Sequence, residues 1–210
     1  MARRLTVWGA LAVLVLVGLG CGARSANQEE IPPLPLPTLS LAGRTVSLYP
    51  LTMLLPEVAL GWDSTLSPHS TALRYADSLI AQALTQRAPE VQWVLPETLR
   101  RAARRAPGLL QDPDQLGTAV MRDTRLSRLP DPLRSQLRML TGAGGDRLVM
   151  IPASLVFYQD STGGGRAELT LVLADVRTGD VAWRSVGKGV SDAPWPALRM
   201  ALETIVPVVR

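Results

Sequence analysis

Between Asp146 and Val190 the chain carries three apolar stretches separated by two glycine-containing turns, and this block constrains what the rest can become. In the first, Asp146 to Tyr158, Leu148, Val149, Met150 and Ile151 fill both parities. Successive side chains of a strand point to opposite faces, so such a strand needs cover on both sides and belongs at a sheet centre. Pro152 has no N–H to donate and predicts a bulge or kink there. The second stretch, Ala167 to Val176, alternates with Leu169, Leu171 and Leu173 on one face, and the third, Val181 to Val190, places Trp183 inside. Asp160 to Arg166 and Arg177-Thr178-Gly179-Asp180 are the turns, so a three-strand meander is predicted. Thr178 and Gly179 are its structural turn residues, with Gly179 expected in the left-handed conformation that glycine adopts without strain.

The upstream half alternates strands with helices. Thr45-Val46-Ser47-Leu48-Tyr49 reads as a strand ending at Pro50, and a long loop follows from about Met53 to Ser67. Ser67-Pro68 looks like an N-cap with Pro at the first helical position. Behind it Leu73, Ala76, Leu79, Ile80, Ala83 and Leu84 recur at three-and-four spacing, which predicts a helix. Val91 to Leu95 is a compact strand, Glu97 to Ala106 a short helix, and Pro132 to Leu140 a further helical stretch inside the Pro- and Asp-rich region 107–144. Trp195 to Val209 closes the chain as a helix. The predicted fold class is therefore α+β, a layer sandwich with a mixed sheet of about five strands, a terminal meander and helices.

The amino terminus decides the compartment. Arg3-Arg4 precedes an uncharged Leu- and Val-rich run from Leu5 to Gly20, the pattern of a secretory signal and short of the ~20 apolar residues that cross a bilayer comfortably. Residues 23–40 turn polar and then proline-rich, as in an extended spacer. The domain reading is a signal peptide over 1–20, a lipidated Cys21 with a Pro-rich tether over 21–42, and a single α+β domain over 43–210.

Two resemblances support this. Gly18-Leu19-Gly20-Cys21 resembles the lipobox of bacterial lipoproteins, in which the cysteine becomes the acylated first residue; Gly18 departs from the usual Leu or Val. Gly22 follows where an Asp would imply retention at the inner membrane, so the resemblance implies an outer-membrane lipoprotein facing the periplasm. Tyr49-Pro50, Ala76-Asp77-Ser78-Leu79, Val94 to Leu99, Gly145 to Val149 and above all Asp175-Val176-Arg177-Thr178-Gly179-Asp180-Val181-Ala182-Trp183 resemble the TolB amino-terminal domain and CsgG-like envelope proteins. That resemblance implies a non-enzymatic assembly or docking module, with envelope proteins, self-association included, as partners and the membrane contacted through N-terminal acyl chains.

Composition removes several chemistries. One Cys and one His exclude an intramolecular disulfide, a His/Cys zinc site and an iron–sulfur cluster. Lys and Arg total 22 against 18 Asp and Glu, far from the segregated excess of a nucleic-acid binder. No cofactor, metal or catalytic residue is expected. Ser185-Val186-Gly187-Lys188 matches the Ser-x-x-Lys of penicillin-binding enzymes, but on a strand its two ends face opposite ways. His69, with Ser70, Asp63 and Asp77 nearby, is the only imidazole a serine hydrolase could use, and no Gly-x-Ser-x-Gly elbow accompanies it. Gly142 to Gly145 and Gly163 to Gly165 lack the strand–loop–helix order of a phosphate cradle, and Asp112 and Asp114 lack a Ca²⁺-loop pattern. Beyond docking, the alternatives are a serine hydrolase and a cell-wall or small-ligand binding module. The candidate contact surface is Arg100, Arg101, Arg104 and Arg105, which at 100° per residue share a sector of about 140° on one helix and suit an anionic lipid, polymer or protein.

Overall fold

A computed structural model describes residues 33–142, 147–160 and 163–206, all within one compact unit, Pro32–Arg210. The signal peptide, Cys21, and the turn residues 143–146 and 161–162 lie outside the described residues, as does the chain after 206. The meander is the frame: β4 (Leu148–Gln159) pairs antiparallel with β5 (Gly165–Asp175), and β5 pairs antiparallel with β6 (Val181–Ser191). On the other side β4 pairs in parallel with β1 (Thr45–Leu48), which pairs in parallel with β3 (Gln92–Val94). The order is β3-β1-β4-β5-β6, and a sixth strand, β2 (Leu54–Pro56), also pairs in parallel with β4. The loop expected over Met53–Ser67 thus holds a strand and a short 3-10 turn, Val58–Leu60. Three residues are too few to show alternation.

Helices α2 (His69–Arg87) and α5 (Pro194–Ile205) cover one face of the sheet. Helices α3 (Pro96–Arg105) and α4 (Leu133–Gly142), with 3-10 turns at Pro113–Gln115 and Thr118–Arg122, cover the other. The filled parity of β4 is explained by this double cover. Leu148 and Met150 pack under α2 and α5 while Val149 and Ile151 pack under α3 and α4. The register shifts between Pro152 and Ser154, after which the odd residues Leu155 and Phe157 take over the first face. A bulge reverses parity in this way because one extra residue opposes the partner strand. Helix α2 starts one residue later than expected, with Pro68 at the N-cap position and no side-chain cap from Ser67.

Residues 33–42, expected as tether, belong to the packed body. Leu36 and Leu41 are buried in the core, and Thr38–Leu41 forms a short helix, α1. The Leu36 N–H donates to the Ile205 carbonyl at 2.8 Å, and Trp183 Nε1 donates to the Pro35 carbonyl at 3.2 Å. Proline spacing conveys extension; it does not reveal that Leu36 is buried beside α5.

The region 107–142 and the last hairpin are held together by arginines of each that reach backbone oxygens of the other. Arg128 Nη2 donates to the Thr178 carbonyl at 2.7 Å, Arg134 Nε to that of Val176 at 3.2 Å, and Arg184 Nη2 to that of Leu126 at 2.8 Å. In the hairpin turn Gly179 has φ +86°, its N–H donates to the Asp175 carbonyl at 2.7 Å, and Asp175 Oδ1 accepts from the N–H groups of Arg177 and Thr178. Among the described residues no helix is long and apolar enough to cross a membrane.

Candidate functional site

Strand β1 has β3 on one side and β4 on the other, with α2 crossing on one face and the α3–α4 segment on the other. In open α/β sheets the crevice beyond the carboxyl ends of strands at such a reversal is the usual place for a site. Here it contains an ionic cluster that the sequence did not announce. Asp77 of α2 and Arg100 of α3 are both buried, at 4% and 7% exposure, and Arg100 Nη2 donates to Asp77 Oδ2 at 2.5 Å. The other Asp77 oxygen accepts the Leu51 N–H at 2.7 Å. Arg100 also forks onto Asp114, with Nε 2.9 Å from Oδ2 and Nη2 2.7 Å from Oδ1. One guanidinium thereby ties α2, α3, the loop after β1 and the 3-10 turn at Pro113–Gln115. Asp112, its neighbour in the acidic pair, accepts the Asp114 N–H with Oδ1 and so shapes that turn.

The four-arginine stripe is corrected accordingly: Arg100 is not part of an exposed contact face. Arg101, Arg104 and Arg105 are exposed. Arg104 pairs with Glu97 at 2.9 Å, both more than half exposed, and Arg101 donates to Thr98 Oγ1 at 3.3 Å.

Beside the cluster, between α2 and α3, runs a groove of about 650 Å³ whose walls include Arg74, Ser78, Gln82, Leu95 and Glu97, with Asp77 and Arg100 at its base. His69 does not line it, and the Ser78 hydroxyl donates to the Arg74 carbonyl within α2 at 2.9 Å. Ser185 is buried on the α5 side of β6, whereas Lys188, on the opposite parity, has Nζ 3.9 Å from Glu168 Oε1. Ser185 and Lys188 are therefore not brought together. No group of three or more His, Cys, Asp or Glu that could hold a metal ion occurs among the described residues.

Burial pushes the Asp77 carboxyl from the ordinary value near 4 up to about 6, against the opposing pull of the Leu51 N–H and Arg100. Between pH 4 and 6 the folded chain thus holds a proton that the unfolded chain releases, so this group's contribution to stability falls as pH rises through that window and is level above it. Over two pH units the effect is bounded at about 3 kcal/mol. Urea denaturation of wild type and Asp77→Asn at pH 4, 5, 6 and 7 is expected to show the difference between them changing in favour of the variant up to pH 6. A difference that is constant across the range would contradict the raised carboxyl. Taking the difference cancels carboxylates such as Asp175, whose bonds to Arg147 and two N–H groups overcome its burial and hold it low.

No family model matches the chain, and no curated protein matches it. Among solved structures it is similar to the LpoB C-terminal domain from Salmonella enterica, at 18% identity and a TM-score of 0.38, over 71% of this chain and 83% of that one. It is similar also to the PelC dodecamer subunit from Paraburkholderia phytofirmans, at 14% identity and 0.36, over 83% and 94%. A lipoprotein from Neisseria meningitidis aligns at 13% identity and 0.32, over 70% and 80%. Likeness of this degree leaves the functional reading to the residues of this chain.

Proposed function

We propose that this protein is an exported, lipid-anchored envelope protein whose α+β domain, of the TolB amino-terminal and CsgG-like kind, acts as a non-enzymatic docking module on the periplasmic side of the outer membrane. The observation that carries the reading is how the chain enters the body. Cys21 stands at the close of the apolar leader, and from fourteen residues on the chain is bonded into the core through Pro35, Leu36 and Leu41. Whatever holds Cys21 therefore holds the domain by a short link. The ionisable groups near the crevice support a structural role for it, since Asp77, Arg100 and Asp114 satisfy one another. Docking then falls to exposed surface, with Arg101 and Arg104 as the candidate protein contact.

A second reading, a small-ligand or cell-wall binding module, is favoured by the groove between α2 and α3. Concave sites with a few polar groups are the usual ligand sites.

Full-length protein produced in a two-membrane bacterium is expected to carry acyl chains on Cys21 by intact mass and to fractionate with outer membranes, while Cys21→Ala stays uncleaved or soluble in the periplasm. Cross-linking in intact cells should yield a protein adduct that Arg101→Gln/Arg104→Gln diminishes. Unmodified wild type in the soluble periplasm would overturn the anchor; an adduct unchanged by the double variant would overturn the arginine contact.

A further inference from the structure

Several exposed arginines of the domain lie at one end. β1, β3, β4 and β6 all begin there and α2, α3 and α5 all finish there, because β1, β3 and β4 are parallel and β6 is antiparallel to β5. Exposed at this end are Arg44, just before β1, Arg105, at the close of α3, Arg147, just before β4, and Arg177, in the β5–β6 turn. Of the acids there among the described residues, Asp175 pairs with Arg147, Asp180 with Arg128 at 3.4 Å and Glu203 with Arg87 at 2.7 Å, which leaves Glu90. Arg44, Arg105 and Arg177 have no ion-pair partner among the described residues. The same end receives the amino-terminal segment: Gly43 N–H bonds the Glu90 carbonyl and Leu36 N–H that of Ile205. While Leu36 and Leu41 turn inward, Leu34 and Leu39 turn outward, at 59% and 89% exposure.

We propose that this end, through Arg44, Arg105 and Arg177 with Leu34 and Leu39, docks on the anionic headgroup surface of the membrane that carries the Cys21 anchor; the inference rests on the lipid-anchor reading above. Twelve residues from Cys21 to Pro33 span at most about 40 Å even when fully extended. A link that short gives an effective concentration in the millimolar range, so a contact too weak to recruit a free protein is occupied in a tethered one. The chemistry of the end suits that occupant. Unpaired guanidinium groups are attracted to anionic lipid within a Debye length of about 8 Å, and outward leucines enter the boundary between headgroups and acyl chains. Docking at this end turns the crevice and groove, at the carboxyl ends of β1 and β3, away from the bilayer.

Acylation consumes the only thiol, so one introduced cysteine can be labelled uniquely. Acylated full-length Ala42→Cys and Asp192→Cys, each carrying an environment-sensitive dye, would be reconstituted in phosphatidylglycerol–phosphatidylethanolamine vesicles containing a headgroup nitroxide quencher. Ala42 is exposed beside the proposed contact, and Asp192 is exposed just past β6 at the opposite end. Quenching at 42 is expected to exceed that at 192 by about threefold or more, and to fall toward the 192 level in phosphatidylcholine vesicles, in 0.5 M salt (about a 4 Å Debye length), and in the Arg44→Gln/Arg105→Gln/Arg177→Gln and Leu34→Ser/Leu39→Ser variants. Unchanged thermal melting certifies that those variants fold. Equal quenching at the two positions, or quenching at 42 indifferent to lipid charge and to the arginine variant, would overturn the docking while leaving the anchor standing. Dye uptake by wild type at Cys21 would show a free thiol and overturn both.

Discussion

Arg100→Gln is expected to destabilise the domain by about 3–5 kcal/mol, because removing one partner of a buried ion pair leaves the other charge uncompensated. Asp77 would keep only the Leu51 N–H. Asp114, whose side chain is 30% exposed, can turn to water. Against a total stability of about 5–15 kcal/mol for a domain, that loss is a large fraction. Arg100→Gln/Asp77→Asn should recover part of it, since two neutral amides can bond each other without a buried charge. By contrast Arg101→Gln/Arg104→Gln/Arg105→Gln should shift stability by no more than about 1 kcal/mol, as exposed pairs such as Arg104–Glu97 contribute little. Urea denaturation followed by far-UV circular dichroism measures all of these. If Arg100→Gln unfolds at the wild-type midpoint, the cluster is not the tie between α2 and α3 that its geometry describes.

The second large effect concerns α5. The backbone of Ala197 and Ala201 lies against Gly187 and Gly189 of β6, so the helix rests almost directly on the strand backbone. A Cβ on Gly187 would stand 2.5 Å from Ile205 Cδ1 and closer still to the Ala201 carbonyl oxygen. One on Gly189 would stand 2.5 Å from the Ala201 nitrogen and 2.6 Å from Met200 Cβ. Because backbone is in the way, rotamer changes cannot relieve the crowding and the helix itself must lift. Gly187→Val and Gly189→Val are each expected to cost about 3 kcal/mol, the upper part of the range for overpacking. Lifting α5 should also disturb the edge-to-face contact of Trp195 with Tyr75, whose ring centroids are 4.8 Å apart, giving a change in tryptophan fluorescence. Gly117→Ala is the control: a Cβ there meets nothing within 4 Å. Wild-type stability in the two valine variants would mean that α5 sits farther from the sheet.

Local order carried most of the architecture. The alternation of Leu169, Leu171 and Leu173, the filled parity at Leu148–Ile151 and the three-and-four spacing from Leu73 to Leu84 are each periodic over enough residues to report a strand or a helix and its buried side. Pro152 and Gly179 announced themselves because each residue type has a backbone preference of its own. The exported, anchored character of the chain was likewise proposed from its first 21 residues alone.

What tertiary structure decided lies where the determining partner is remote in sequence. β2 is three residues long and exists because β4 extends past the end of β1 and offers it a ladder. Pro35 and Leu36 left the tether for the packed body because α5 and Trp183, more than 140 residues on, supply their bonding partners. Arg100 looked like its neighbours, although at about 100° per residue it lies only about 60° from buried Ala103, which was a legible hint of its position. That it is neutralised by Asp77, 23 residues before it, and Asp114, 14 after it, depends on how α2, α3 and the following turn pack. Periodicity reports which side of an element is buried; the identity of what it is buried against is a property of the packing, and so the cluster, the groove and the gathering of arginines at one end emerged only in three dimensions.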